Sequence, residues 1–149
     1  MESLTGPAAL RESLRKLTRK LGVLDDIQSS CCGITFAQYH AIVEIGRAGS
    51  LSLNSLAEIM GLDKSAMSRT LNSLVNNRLA ERGIHPEDRR YITIKLTEKG
   101  IRSYQEIEAS MDLYFNQLYQ FIPEAKREQV AESLQILLQA LKECECCQR

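Results

Sequence analysis

The chain lacks net charge: nineteen Lys and Arg offset nineteen Asp and Glu. A uniformly basic coat for nucleic acid is therefore excluded, while a local basic patch is not. It lacks long apolar runs. No stretch reaches the roughly 20 residues of a membrane span, and "MESLTGPAALRESLRKL" holds no apolar core of a secretory signal. The expected location is the cytoplasm, with no membrane partner. Internal repeats and low-complexity tracts are missing too. So are the glycine-rich phosphate loop, H-E-x-x-H and G-x-S-x-G, so none of those enzyme classes is indicated, and no organic cofactor is implied. What remains is 149 residues, 44% hydrophobic and 26% charged, which suffices for one ordinary domain with a real core.

The apolar spacing organises that length. Leu10, Leu14, Leu17, Leu21 and Leu24 recur at steps of four and three, which predicts a helix over 8–30 with a coiled-coil-like stripe. Gly33 ends it. Thr35 with Gln38 forms a capping-box pattern for a helix from about Phe36 to Arg47. "NSLAEIMGL" reads as a short helix closed by Gly61. Asp63 then caps "KSAMSRTLNSLVNNRL", whose inner face holds Met67, Leu71, Leu74 and Val75. "LAERGI" and "RYITIKL" alternate as strands around the charged turn "HPEDRR", with Ile92, Ile94 and Leu96 on one face. Thr97 caps a helix to about Phe121, striped by Ile101, Tyr104, Met111, Phe115, Leu118 and Ile122. Pro123 interrupts. A last helix from about Glu124 carries Val130, Leu134, Leu137 and Leu141, and continues that seam to Cys144.

A short helix, a turn, a helix with a polar outer face and a basic hairpin make a winged helix-turn-helix. Its second helix suits the major groove, and its hairpin tip can carry an arginine into the minor groove. "LAEIMGLDKSAMSRTLNSLVNNRLAERGIHPEDRRYITIKLTEKG" resembles the core of the MarR family of bacterial transcription regulators, most strongly in "DRRYITIKLTEKG". The expected fold is mainly α, with a two-stranded β-wing. The resemblance adds a helical dimerisation region formed by N- and C-terminal helices. The expected divisions are 1–32 (dimerisation helix and linker), 33–97 (DNA-binding lobe) and 98–149 (dimerisation helices with a Cys-rich tail).

The resemblance implies a homodimer on a pseudo-palindromic site in double-stranded DNA. Asp88 would orient Arg90, Arg90 would enter the minor groove, and Arg89 would meet phosphate. Lys64, Ser65, Ser68, Arg69 and Asn72 would face the major groove or its flanking phosphates. The local charge agrees. Between Lys64 and Arg90 stand six basic residues against three acidic ones, the excess that phosphate attraction needs.

All five cysteines fall in two clusters: Cys31 and Cys32 in "SSCCGIT", then Cys144, Cys146 and Cys147 in "LKECECCQR". In a reducing cytosol such thiols point away from a structural disulfide framework. The two C-terminal helices are expected to be nearly equal in length. Folded back on each other, they would return the tail toward the "SSCCG" hinge, within one chain or across the dimer. On a helix Cys144 and Cys147 share a face. A site made only of sulfur selects thiophilic species. Three thiolates suit trivalent arsenic or antimony, and four suit zinc or cadmium. Arsenic is favoured because no histidine or carboxylate cage accompanies the thiols; His40 is left out. Three alternatives stand beside a metal or metalloid sensor: a MarR-like thiol-oxidation sensor, idle thiols, and a thiol–disulfide enzyme built on C-x-x-C. The enzyme is disfavoured because this motif closes a helix instead of opening one. Effector binding would release DNA from a repressor or, with opposite polarity, activate.

Overall fold

Capping chemistry sets most element boundaries. The computed structural model describes residues 5–144, with the side chains of 23–32 excepted. Helix α1 spans Pro7–Cys32 and gives way to Gly33, whose φ of +64° suits a residue without a Cβ. Thr35 then caps α2 (Phe36–Ala48) through a complete capping box. The Thr35 oxygen accepts from Gln38 N at 3.3 Å, and the Gln38 carbonyl oxygen accepts from Thr35 N at 2.9 Å. Strand β1 (Leu51–Ser52) leads into α3 (Leu53–Met60), capped by Ser52 and ended by left-handed Gly61. Asp63 caps α4 (Lys64–Asn76), its Oδ1 accepting from Ala66 N at 2.7 Å.

The wing is formed by β2 (Ala80–Ile84) and β3 (Ile92–Leu96), paired antiparallel with Ala80 opposite Leu96 and Ile84 opposite Ile92. The two-residue β1 joins the free edge of β3, giving a three-stranded sheet of order β1-β3-β2. The wing is thus anchored at its base by a third strand in addition to the expected pair. Helix α5 follows (Glu98–Phe121), then a 3-10 turn (Glu124–Lys126) and α6 (Arg127–Glu143).

The chain divides into two compact units, Met1–Glu108 and Ala109–Arg149. The first holds the core: Ile42, Ile45, Leu56, Met67, Leu71, Leu74 and Ile94 are fully buried. At the start of α5 the backbone comes too close for any side chain. A Cβ on Gly100 would lie 1.9 Å from the Leu79 carbonyl oxygen. That same oxygen accepts from Thr97 N at 3.1 Å, while the Thr97 hydroxyl donates to the Arg78 carbonyl at 2.5 Å. The "LTEKG" segment therefore clips α5 onto the turn that ends α4.

Two sequence expectations gain detail and two are corrected. Ile92, Ile94 and Leu96 alternate along β3 as expected, with Ile92 53% exposed where it pairs with Ile84 out on the wing. Within the chain α5 buries Gly100 and Ile107, and Ile101 of the apolar stripe is 45% exposed. Helices α5 and α6 have 24 and 17 residues, or roughly 36 and 26 Å at the α-helical rise, so they are not of equal length. Finally, α6 stops at Glu143, and Cys144 has extended backbone (φ −79°, ψ 105°), so the helical seam does not continue through it.

In the second unit the turn is fastened by Arg127. Its Nε donates to the Ile122 carbonyl at 3.2 Å, and its guanidinium lies 4.6 Å from the Tyr119 ring centre. No residue of α6 is buried. Leu134, Ile136, Leu138 and Leu141 are exposed there, as are Leu113, Phe115 and Phe121 on α5.

Candidate nucleic-acid interface

The second helix of the helix-turn-helix, α4, presents one apolar and one polar side. Met67, Leu71 and Leu74 are buried, and Val75 is partly covered. Lys64, Ser65, Arg69 and Asn72 are exposed, with Ser68 half-buried beside them. The helix is held from behind by Gln38, a polar residue only 7% exposed. Its amide nitrogen donates to the Ser73 hydroxyl at 2.5 Å while its oxygen completes the α2 cap. One side chain thereby fixes α4 against the first turn of α2.

At the wing tip the loop is closed by its own backbone. His85 N donates to the Tyr91 carbonyl at 3.0 Å and Tyr91 N to the Asp88 carbonyl at 3.1 Å. Asp88 then grips Arg90 three times. Its Oδ1 accepts from Arg90 N at 3.0 Å and Nε at 3.1 Å, and its Oδ2 accepts from Nη2 at 2.9 Å. The two side chains form a forked pair that fixes the guanidinium plane. The Arg90 bonds hold the Asp88 carboxyl below the ordinary carboxylate range, and the Asp88 bond raises Arg90. The Arg90 side chain is nevertheless 86% exposed, so its charge stands in solvent at the extremity of the wing. Arg89 is exposed beside it.

The structure brings one further residue to this surface. Arg82, on β2, donates from Nη2 to the Asn72 carbonyl oxygen on α4. Strand alternation contains the signal. Ala80, 2% exposed, faces the body, and Arg82 is two residues on along the same strand. A count of local charge includes Arg82 without revealing its partner.

The thiol expectations rest elsewhere. The side chains of Cys31 and Cys32, and all of Cys146 and Cys147, lie outside the described residues. Cys144 is exposed. Among the described residues no helix is long and apolar enough to cross a membrane.

Residues 33–90, from the α1–α2 junction to the wing tip, match the model of the MarR family. The chain is similar to the HTH-type transcriptional repressor MdtR of Bacillus subtilis (strain 168), with 29% identity over 72% of this chain and 70% of that protein. Among solved structures it resembles the YusO protein from Bacillus subtilis at 26% identity, covering 89% of this chain and 94% of that one with a TM-score of 0.64. It shares its fold with Streptococcus pneumoniae FabT in complex with DNA, at 19% identity and a TM-score of 0.80, covering 90% and 98% of the two chains. The matched segment holds the helix-turn-helix, β2 and the wing-tip loop just described, so residues 33–90 match the MarR family, and the chain shares the winged helix-turn-helix fold of the solved structures.

Proposed function

We propose that the protein is a dimeric transcriptional repressor of the cytoplasm that binds a pseudo-palindromic operator and releases it when a thiophilic metalloid, trivalent arsenic ahead of antimony, bridges its cysteine clusters. The observation that carries the DNA reading is the Asp88–Arg90 clasp. It aims a solvent-exposed guanidinium from the wing tip, in a segment where basic residues outnumber acidic ones. Minor grooves attract such a side chain by their negative potential. The polar face of α4 supplies the major-groove partner. FabT, which shares the fold, was solved in complex with DNA. Dimerisation is supported by the uncovered apolar surface of α5 and α6, since large exposed apolar patches mark association sites.

The effector reading is supported by composition. Five thiols stand in two clusters, a donor set that favours soft, thiophilic ligands. Zinc and cadmium are the tetrahedral alternatives. The exposure of Cys144 favours a second reading, oxidation of neighbouring thiols to a disulfide. In the first case the metalloid binds the released state more tightly than the DNA-bound state, and in the second the disulfide formed as peroxide is reduced to water favours the released state. The test is a DNA-release titration of the reduced dimer with arsenite, antimonite, cadmium, zinc, copper(I) and peroxide. It compares wild type with Cys31→Ser, Cys32→Ser, Cys144→Ser, Cys146→Ser, Cys147→Ser and the variant lacking all five thiols. Arsenite should release wild type and spare the thiol-free protein. Release that survives loss of all five thiols rejects the metalloid reading, and release by peroxide alone replaces it with the redox one.

A further inference from the structure

Asparagine on a recognition helix normally offers a base edge both a donor and an acceptor. That pairing matches adenine, whose N6 donates and whose N7 accepts. Asn72 is not in that condition. Its Oδ1 accepts from Arg82 Nη2, reaching across from β2. The orientation of the amide is settled chemically, because a guanidinium only donates and so must meet the oxygen. The Nδ2 hydrogens are left as the outward group. Both residues are exposed, so the pair lies on the outer surface of α4 and not in its packing.

We propose that Arg82 is a specificity-positioning residue: by occupying one lone pair of the Asn72 side-chain oxygen and fixing the amide, it biases this point of the recognition helix toward hydrogen-bond donation. A position biased toward donation reads base-edge acceptors, guanine O6 or N7 and thymine O4, and is less suited to the bidentate match to adenine. The wing strand thereby sets what the helix reads. This rests on the DNA reading above and adds to it a base preference at one position per half-site. Arg82 also brings charge, which strengthens binding to every sequence alike through phosphate. The two contributions separate, because only the first depends on the base.

The experiment is selection of bound duplexes from a randomised library by the full-length reduced dimer. Wild type is compared with Arg82→Ala, Arg82→Lys, Asn72→Ala and the Arg82→Ala/Asn72→Ala double variant, each checked for native circular dichroism. Wild type should prefer guanine or thymine at the Asn72 position. Arg82→Ala should shift that one position toward adenine by about tenfold, the scale of one good base contact. Arg82→Lys, which keeps one donor on the carbonyl, should retain the wild-type preference. The double variant should match Asn72→Ala in having no preference there. A uniform loss of affinity in Arg82→Ala with the base preference unmoved overturns the inference and makes Arg82 a phosphate contact. Wild type that selects no sequence overturns the DNA reading itself and this inference with it.

Discussion

Arg90 would sample many rotamers at an exposed loop tip, and ordering them on DNA costs entropy. Asp88 meets part of that cost in advance by fixing the guanidinium through its Nε and Nη2. Asp88→Asn keeps the shape but loses the charge and one forked bond. Operator affinity should fall about threefold to tenfold, measured by fluorescence anisotropy, with circular dichroism unchanged. The pH sign follows from the depressed carboxyl. The clasp is fully present above the ordinary aspartate range and is lost only as pH falls through a still lower value. The Arg90 Nε–H resonance should therefore stay put from pH 8 to about 5 and move only in stronger acid. The pairing of Asp88 with Arg90 was legible in the sequence through the family resemblance. The pairing of Asn72 with Arg82 was not, because it joins a helix to a strand and only the fold sets their separation.

At the scale of elements, sequence signals were strongest where one residue does one local job. Thr35 and Asp63 each accept a backbone hydrogen bond at a helix start, and Gly33 and Gly61 take the positive φ that ends one. Hydropathy says nothing where packing is made by something other than an apolar side chain. The inner face of α5 is set by Gly100 against the Leu79 carbonyl, and hydropathy gives a glycine no weight there. Ile107 is buried on the same helix, and Ile101 is exposed. The pairing of β1 with the edge of β3 was not legible, because two residues carry no alternation. Two predictions belong here. Gly100→Ala should destabilise by about 1–3 kcal/mol, read as a lower urea midpoint at constant slope, since its Cβ meets backbone rather than a flexible side chain. Gln38→Ala removes half a capping box and the bond to Ser73 together, and should cost about 1–2 kcal/mol by the same measurement.

For the whole molecule, α6 is the informative element. A helix with no buried residue and with Leu134, Ile136, Leu138 and Leu141 exposed has too much apolar surface to stand alone in water. Leu134→Glu with Leu141→Glu should convert a dimer to a monomer in sedimentation velocity and make operator binding weak, because one subunit engages only one half-site. The proposed cysteine site rests on residue type alone. Residue type announces soft ligands, but the end of α6 at Glu143 replaces the expected helical register at Cys144 with extended backbone. The central claim is that α4 and the wing bind DNA through Arg90 and its basic surroundings. Its most direct measurement is the salt dependence of binding to a duplex selected by the wild-type dimer, compared between wild type and Arg90→Ala. Wild type should bind with a steep negative slope of log affinity against log salt, and Arg90→Ala should lose about tenfold or more in affinity with a slope shallower by about one per subunit. Equal affinities and equal slopes for the two proteins would contradict the account.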